Sequence, residues 1–329
     1  MAGESTPLVR PEVRNVRMLN AKENFLEAVR FGRPEHVPMA NEPIWHAFQL
    51  AGNFRGENWT DHWGVRWVVG LPGTVPFPKG NPLPSLERLT DYKFPDPGAL
   101  ALTDEMAAKL KAVNPGQKLV MGSLTYLLFE RAWAIMGMEN FLEALVTHAA
   151  EAHAFLHGIA RYARQVFDRY LELGVDAVGF SEDLGSQRAL MISPVMFREF
   201  LLPEYVYCFE NVLRAKRMVH FHSCGCVEAV AADLAGIGVT LLNPVQARAN
   251  DLRRVKRETA GRMALSGAID TAVLATGTPA QVRAEVARVM EILKPGGGYI
   301  CGPDQGIPGI PEENIVALWA TAKEIGRYG

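Results

Sequence analysis

Three side chains in this sequence are soft or borderline metal ligands: His222 and Cys224, one residue apart, and Cys301 far downstream. His222-Ser223-Cys224 leaves a predicted strand, and side chains alternate along a strand, so the imidazole and the thiol point to the same side. One imidazole and two thiolates give Zn2+ three ligands and leave a fourth position open, as in catalytic rather than structural zinc sites. A plainer reading stands beside this one. A His-x-Cys pair is a short motif, and buried cysteine often serves as a small hydrophobe. Gly225 after the pair and a thiol at another strand end favour the metal. Cys226 could compete with Cys224, but it lies past Gly225 at the start of the next helix, so Cys224 is preferred. Cys208 sits in a helical pattern and is expected to pack. Four cysteines in 329 residues make no disulfide framework, which leaves free thiols, ligands or nucleophiles.

The elements that must position these residues alternate along the chain. Short apolar runs occur at Val37–Asn41, Leu119–Leu124, Asp176–Phe180, Met218–His222, Val239–Asn243, Met263–Gly267 and Tyr299–Gly302. Their density of apolar residues predicts strands buried on both faces. Between them lie helical patterns over 139–170, from Ser193-Pro194, from Thr278-Pro279, and over 311–328. Strand–helix repetition implies parallel strands joined by right-handed crossovers. The predicted fold is therefore an α/β (β/α)8 TIM barrel, with seven strands read directly and an eighth inferred. No Gly-rich phosphate turn follows the first strand, which argues against an open doubly wound sheet. The expected organisation is a polar arm at 1–20 and one barrel domain over 21–329. An inserted hairpin and loop, rich in Trp, Pro and Gly, is expected over 45–96.

Active sites of parallel barrels lie where strands end and loops begin. The residues predicted there are Glu42, Ser123–Tyr126, Glu182, Asp183, His222, Cys224, Asn243, Gln246, Asp270, Cys301 and Asp304. Glu182 and Asp183 are adjacent, so their side chains diverge. One of them could donate a proton or orient His222; equally, the pair could complement a helix N-terminus. Asn243 and Gln246 are candidates to hydrogen-bond a substrate, with Asp270 and Gln187 behind them. Trp45, His46, Phe48, Trp59, Trp63 and Trp67 crowd the loop expected over the mouth and could line an aromatic pocket. Core packing of the hairpin would account for at least half of these six just as well.

At HSCGCVEAVAADLAGIGVTLLNPVQ the chain resembles the uroporphyrinogen decarboxylase-like superfamily, in particular its corrinoid-linked methyltransferase branch. The likeness extends to DHWGVRW, SEDLGSQRALMISPVMFREFLLPEY, SGAIDTAVLATGTPAQV and GGGYICGPDQGIPGIPEENI, in order and spacing. It implies a barrel and a zinc site made of a His-x-Cys pair and a distant Cys, a pattern onto which His222, Cys224 and Cys301 fall. The sequence departs from true uroporphyrinogen decarboxylases. Their Met-Arg-Gln-Ala-Gly-Arg block has no counterpart in NEPIWHAFQLAG, and their late Gly-His-Gly-Ile stands here as Asp304-Gln305-Gly306-Ile307.

Two directions of methyl transfer follow from such a zinc site. Zinc could polarise a methyl ether whose methyl passes to the cobalt of a corrinoid, or it could activate a thiol that accepts a methyl from methylcobalamin. The aromatic cluster favours the first, an aryl methyl ether O-demethylation. Decarboxylation of a porphyrinogen is disfavoured, because the predicted mouth offers few cations. A barrel that only partners other proteins is a further alternative. The chain has no Asp-x-His-x-x-Gly motif of corrinoid-binding domains, so the corrinoid is expected on a partner protein. A net charge of −2 argues against nucleic acid or an anionic membrane as partner. With no apolar leader at the N-terminus, a cytoplasmic location is expected.

Overall fold

The computed structural model describes residues 18–50, 56–71, 75–306 and 309–328, so the arm expected at 1–20 lies almost wholly outside the described residues. The strands are β1 Trp45–Phe48, β2 Trp59–Thr60, β3 Arg66–Val68, β4 Phe77–Lys79, β5 Leu119–Leu124, β6 Ala177–Ser181, β7 Met218–His222, β8 Leu241–Val245, β9 Ala264–Ile269 and β10 Tyr299–Pro303. Seven of them form a parallel sheet in the order β1-β5-β6-β7-β8-β9-β10, so strands successive in the barrel are neighbours in space. Helices lie between them in the chain, among them Ala149–Glu172, Leu202–Arg214, Leu252–Thr259 and Pro279–Leu293.

Closure is made by a single stretch of chain. Met39 bridges to Cys301 in parallel, with Cys301 N donating to Pro38 O at 2.9 Å and Ala40 N to Cys301 O at 2.8 Å. A few residues on, Leu119 N donates to Ile44 O at 2.7 Å, and β1 continues along β5. Residues 38–48 thus tie the last barrel strand to β5. The predicted opening strand at Val37–Asn41 is corrected accordingly. Pro38 lacks an N–H, and a turn at 39–44 interrupts the ladder, with Glu42 N donating to Met39 O at 3.0 Å and Ile44 N to Glu42 O at 2.8 Å. The regular strand is Trp45–Phe48, inside the stretch expected to be inserted.

The true elaboration is the antiparallel β2-β3-β4 sheet, and Asp61 anchors it. Its carboxylate accepts from Trp63 N at 2.9 Å, Val65 N at 3.0 Å, Trp67 Nε1 at 2.9 Å and Arg131 Nη1 at 2.8 Å. Arg131 also lies over the Trp63 ring, 5.1 Å from its centroid, and Trp63 packs edge-on against Tyr162 of the long helix at 4.6 Å. Trp63 and Trp67 are buried. They hold the hairpin to the barrel rather than line its mouth.

Ser193 caps the helix after β6 as its Ser-Pro start implies, but the turn Phe197–Leu201 widens to a π-helix. Pro203 follows it and cannot donate to a carbonyl of the preceding turn, so the ordinary register is broken there. The helix predicted over 139–170 is divided at His148 into Met138–Thr147 and Ala149–Glu172. At the base of the barrel, Phe25, Ile44, Leu119, Leu241, Ala264 and Ile300 form a small inner cluster apart from the main core. Among the described residues, no helix is long and apolar enough to cross a membrane.

Asp61→Ala would strip a buried ion pair and strand the Arg131 charge, at a cost of about 3–5 kcal/mol. A lowered urea midpoint is expected, and an unchanged one would show that the hairpin docks by its tryptophans alone.

Candidate metal centre

β6 and β7 are paired with Ser181 opposite His222, and Glu182 N donates to His222 O at 2.9 Å. This register carries the residues just past both strands to the same level. His222, Cys224 and Asp183 offer ligand atoms that all lie within 4.8 Å of one another. His222 Nε2 is 3.6 Å from Cys224 Sγ and 3.8 Å from Asp183 Oδ1. Zinc bonds of about 2.0–2.3 Å in a tetrahedron set neighbouring ligand atoms about 3.3–3.8 Å apart. The residues present fit such an ion.

The surroundings hold these three in place. His222 Nδ1 lies 3.2 Å from Asn243 Oδ1, an acceptor, so Nδ1 carries the proton and the Nε2 lone pair is left for a cation. Asn243 Nδ2 donates in turn to Ser266 Oγ at 3.3 Å. Cys224 N donates to Asp183 Oδ1 at 2.7 Å. Gly225 follows with φ +82°, and a Cβ there would come within 2.1 Å of Gly185 O, so only glycine fits. Burial and the nearby Asp183 push the Cys224 thiol up to about 12. A coordinated thiol gives up its proton, so a divalent ion would reverse that balance.

Glu182 takes the second of the two roles its sequence position offered, at a helix N-terminus. Fully buried, it accepts from the N–H groups of Leu127 at 3.2 Å, Leu128 at 3.0 Å, Phe129 at 2.6 Å and Glu130 at 3.3 Å. The Tyr205 hydroxyl donates to it at 2.6 Å. Glu182 therefore caps the helix Phe129–Met136, whose own N-cap residue makes no side-chain bond. Burial raises its pKa to about 7, against the pull of these donors. Of the two divergent carboxylates, only Asp183 reaches the cluster.

The sequence reading missed Glu130. It is buried, and its Oε2 has no hydrogen-bond partner among the described residues. Burial first, then Asp183 and Glu182, hold its carboxyl well above the usual range, while the Asp183 backbone and Ser181 hydroxyl bond to it. A lone acid within the apolar run FERAWAIM was the available signal.

Cys301 requires a correction. On β10 its neighbour Ile300 belongs to the inner cluster, so alternation turns Tyr299 and Cys301 outward to the helix layer. There Cys301 is buried in the main core and its thiol is pushed up to about 12 by burial. It does not join His222 and Cys224. What approaches Cys224 from the loop after β10 is the Gln305 side chain, hydrogen-bonded to the thiol.

Other residues predicted at the mouth are engaged by neighbouring groups or placed away from it. Gln246 Oε1 accepts from Gly225 N and from Gln187 Nε2, both at 2.9 Å, so the two glutamines brace the Cys224 loop. Asp304 accepts from Thr271 N at 3.0 Å and Thr271 Oγ1 at 2.6 Å. Asp270 caps the helix Thr271–Thr276 and pairs with Arg248 at 2.5 Å. Tyr126 packs against Trp67, ring centroids 5.4 Å apart. Glu42 turns to His36 at 3.4 Å. Trp45 and His46 sit level with Leu119 and Val120, at the start of β5 and away from the mouth. There Trp45 stacks on His220 at 6.1 Å and meets Phe25 edge-on at 5.3 Å.

Beside the cluster lies a cavity of about 190 Å3, lined by Gln49, Met121, Ser123, Leu124, Thr125, Gly179, Phe180, Ser181, His220 and His222. His222 thus belongs to both the cavity and the cluster. Among the described residues no Lys or Arg lines it, and burial lowers the His220 pKa to about 4, so His220 is neutral near pH 7.

Fold and cluster together define a parallel α/β barrel with a candidate metal centre at the carboxyl ends of its strands. Residues 71–325 match the family model of uroporphyrinogen decarboxylase (URO-D), and the chain belongs to that family. The uroporphyrinogen decarboxylase of Legionella pneumophila (strain Lens) is 23% identical over 264 residues, spanning 74% of this chain and 70% of that protein. A solved methyltransferase from Methanosarcina mazei superposes with a TM-score of 0.69 at 18% identity, covering 93% of this chain and 99% of that one. That likeness is one of fold.

Glu182→Ala would leave the N–H groups at the start of helix Phe129–Met136 unpaired, and is expected to cost about 3 kcal/mol, read in urea unfolding. Glu182→Gln, which keeps an acceptor, should recover part of the loss; equal losses would refute the capping role. Asn243→Ala should weaken zinc about 10-fold to 100-fold by freeing the His222 ring. Competition with a chromophoric chelator would show this, and unchanged affinity would contradict it.

Proposed function

We propose that this chain is a metal-dependent methyltransferase that moves a methyl group between a small substrate and the cobalt of a corrinoid carried by a partner protein. One observation carries the reading: an imidazole, a thiol and a carboxylate at tetrahedral spacing beside a small, open cavity. Zinc bound there would supply a Lewis acid able to polarise a substrate oxygen or sulfur.

The chain's own residues do the rest. Asn243 keeps the His222 proton on Nδ1, and the Asp183–Cys224 backbone bond fixes the thiol. Gln49, Thr125 and Ser181 offer polar contacts, while Met121, Leu124 and Phe180 give an apolar wall. The cavity slightly exceeds the roughly 150 Å3 of a void that accepts benzene, so one substituted ring is a reasonable occupant. Among the described residues no Lys or Arg lines the cavity, so beyond the metal itself the anionic tail of a thiol acceptor, or the several carboxylates of a porphyrinogen, would find no cationic side chain there. We therefore favour an aryl methyl ether as donor, with O-demethylation as the direction, over methylcobalamin:thiol transfer and over decarboxylation. The mouth of the barrel is where the corrinoid protein would dock.

The test is a screen of aryl methyl ethers with a reduced Co(I) corrinoid protein, following the cobalt spectrum. Methyl-Co(III) should form with the zinc-loaded protein. It should fall at least about 100-fold, the loss of roughly 2.7 kcal/mol of transition-state stabilisation, in His222→Ala, whose circular dichroism should stay that of a folded barrel. Full turnover in the presence of chelators would contradict the reading.

A further inference from the structure

Resting on the methyl-transfer reading above, we propose that the metal centre of this chain contains one thiolate rather than two. Asp183 is its third ligand, Gln305 donates to its only sulfur, and its open position is thereby biased towards oxygen donors. The resemblance in sequence implied a second cysteine, but Cys301 faces the helix layer and is buried in the main core. The ligand atom that completes the triangle with His222 Nε2 and Cys224 Sγ is a carboxylate oxygen.

The loop after β10 is pinned in a definite place. Thr271 N and Oγ1 both donate to Asp304 Oδ1, at 3.0 and 2.6 Å, and Gln305 N donates to Thr271 Oγ1 at 3.0 Å. This holds Gln305 so that its amide meets the Cys224 thiol. An amide N–H on a sulfur stabilises the thiolate and draws charge from it. A carboxylate is a harder, less charge-donating ligand than a thiolate. Both features leave the cation poorer in electrons, and such a cation takes an ether, phenolate or water oxygen relatively better than a centre with two sulfurs would.

Cobalt(II) in place of zinc makes the ligand set visible, because each thiolate adds a sulfur-to-cobalt charge-transfer band. The wild-type full chain should show the intensity of a single thiolate. The band should vanish in Cys224→Ser, persist in Cys301→Ala, and roughly double in Asp183→Cys. Titration with phenol and with 2-mercaptoethanol reads the open position through the cobalt d–d bands. Relative preference for the thiol should rise in Asp183→Cys. A two-thiolate intensity in the wild type, or a band halved in Cys301→Ala, would overturn this inference and leave the methyl-transfer reading standing. An unchanged thiol-to-phenol preference in Asp183→Cys would overturn the oxygen bias. Failure of the folded protein to take up cobalt or zinc at all would overturn both.

Discussion

The register between β6 and β7 is the constraint on which the site depends. With Ser181 opposite His222, the next residue of each strand end is committed to a side by alternation alone. Glu182 goes outward and closes the start of helix Phe129–Met136; Asp183 goes inward and meets Cys224. A slip of one residue would exchange the two carboxylates, uncapping a buried helix and removing an oxygen from the cluster in the same step. Stability and chemistry are therefore tied to one ladder, and Tyr205, positioned just after the π-turn, holds it from the helix side.

Acidic groups crowd around this ladder with little positive charge among the described residues to offset their ionisation. Burial raises Glu130 and Glu182, and the Cys224 thiol is raised by burial and by Asp183. The nearby guanidinium of Arg131 is already engaged by Asp61. Carboxylates crowded in a poorly solvated space favour either protons or a cation. At Glu182 the answer is a row of N–H donors. At Asp183, with a thiol and an oriented imidazole beside it, a divalent ion would answer the same need and free the thiolate.

Much of the barrel was legible because its strands are short apolar runs bounded by turns. β5 and β7 fall at the predicted limits, and β10 within a residue. The opening strand was not, because the alternation in Trp45–Phe48 is embedded among the tryptophans, prolines and glycines of the following elaboration. Within the site, the sequence showed that His222 and Cys224 share a side and that Glu182 and Asp183 diverge, but not which carboxylate turns inward. Cys301 was misplaced for a related reason. Tyr299, Ile300 and Cys301 are all apolar, and a strand buried on both faces carries no pattern that separates lumen from helix layer. Gln305 is reached only through tertiary packing, and Glu130 showed itself in the sequence only as an acid within an apolar run.

The central claim is that one divalent ion is held by His222, Cys224 and Asp183. Anomalous diffraction at the zinc absorption edge, from crystals grown with zinc, tests it most directly. The account predicts a single strong peak about 2.0–2.3 Å from His222 Nε2, Cys224 Sγ and an Asp183 carboxylate oxygen. No peak among these atoms, or a peak bonded to Cys301, would contradict it.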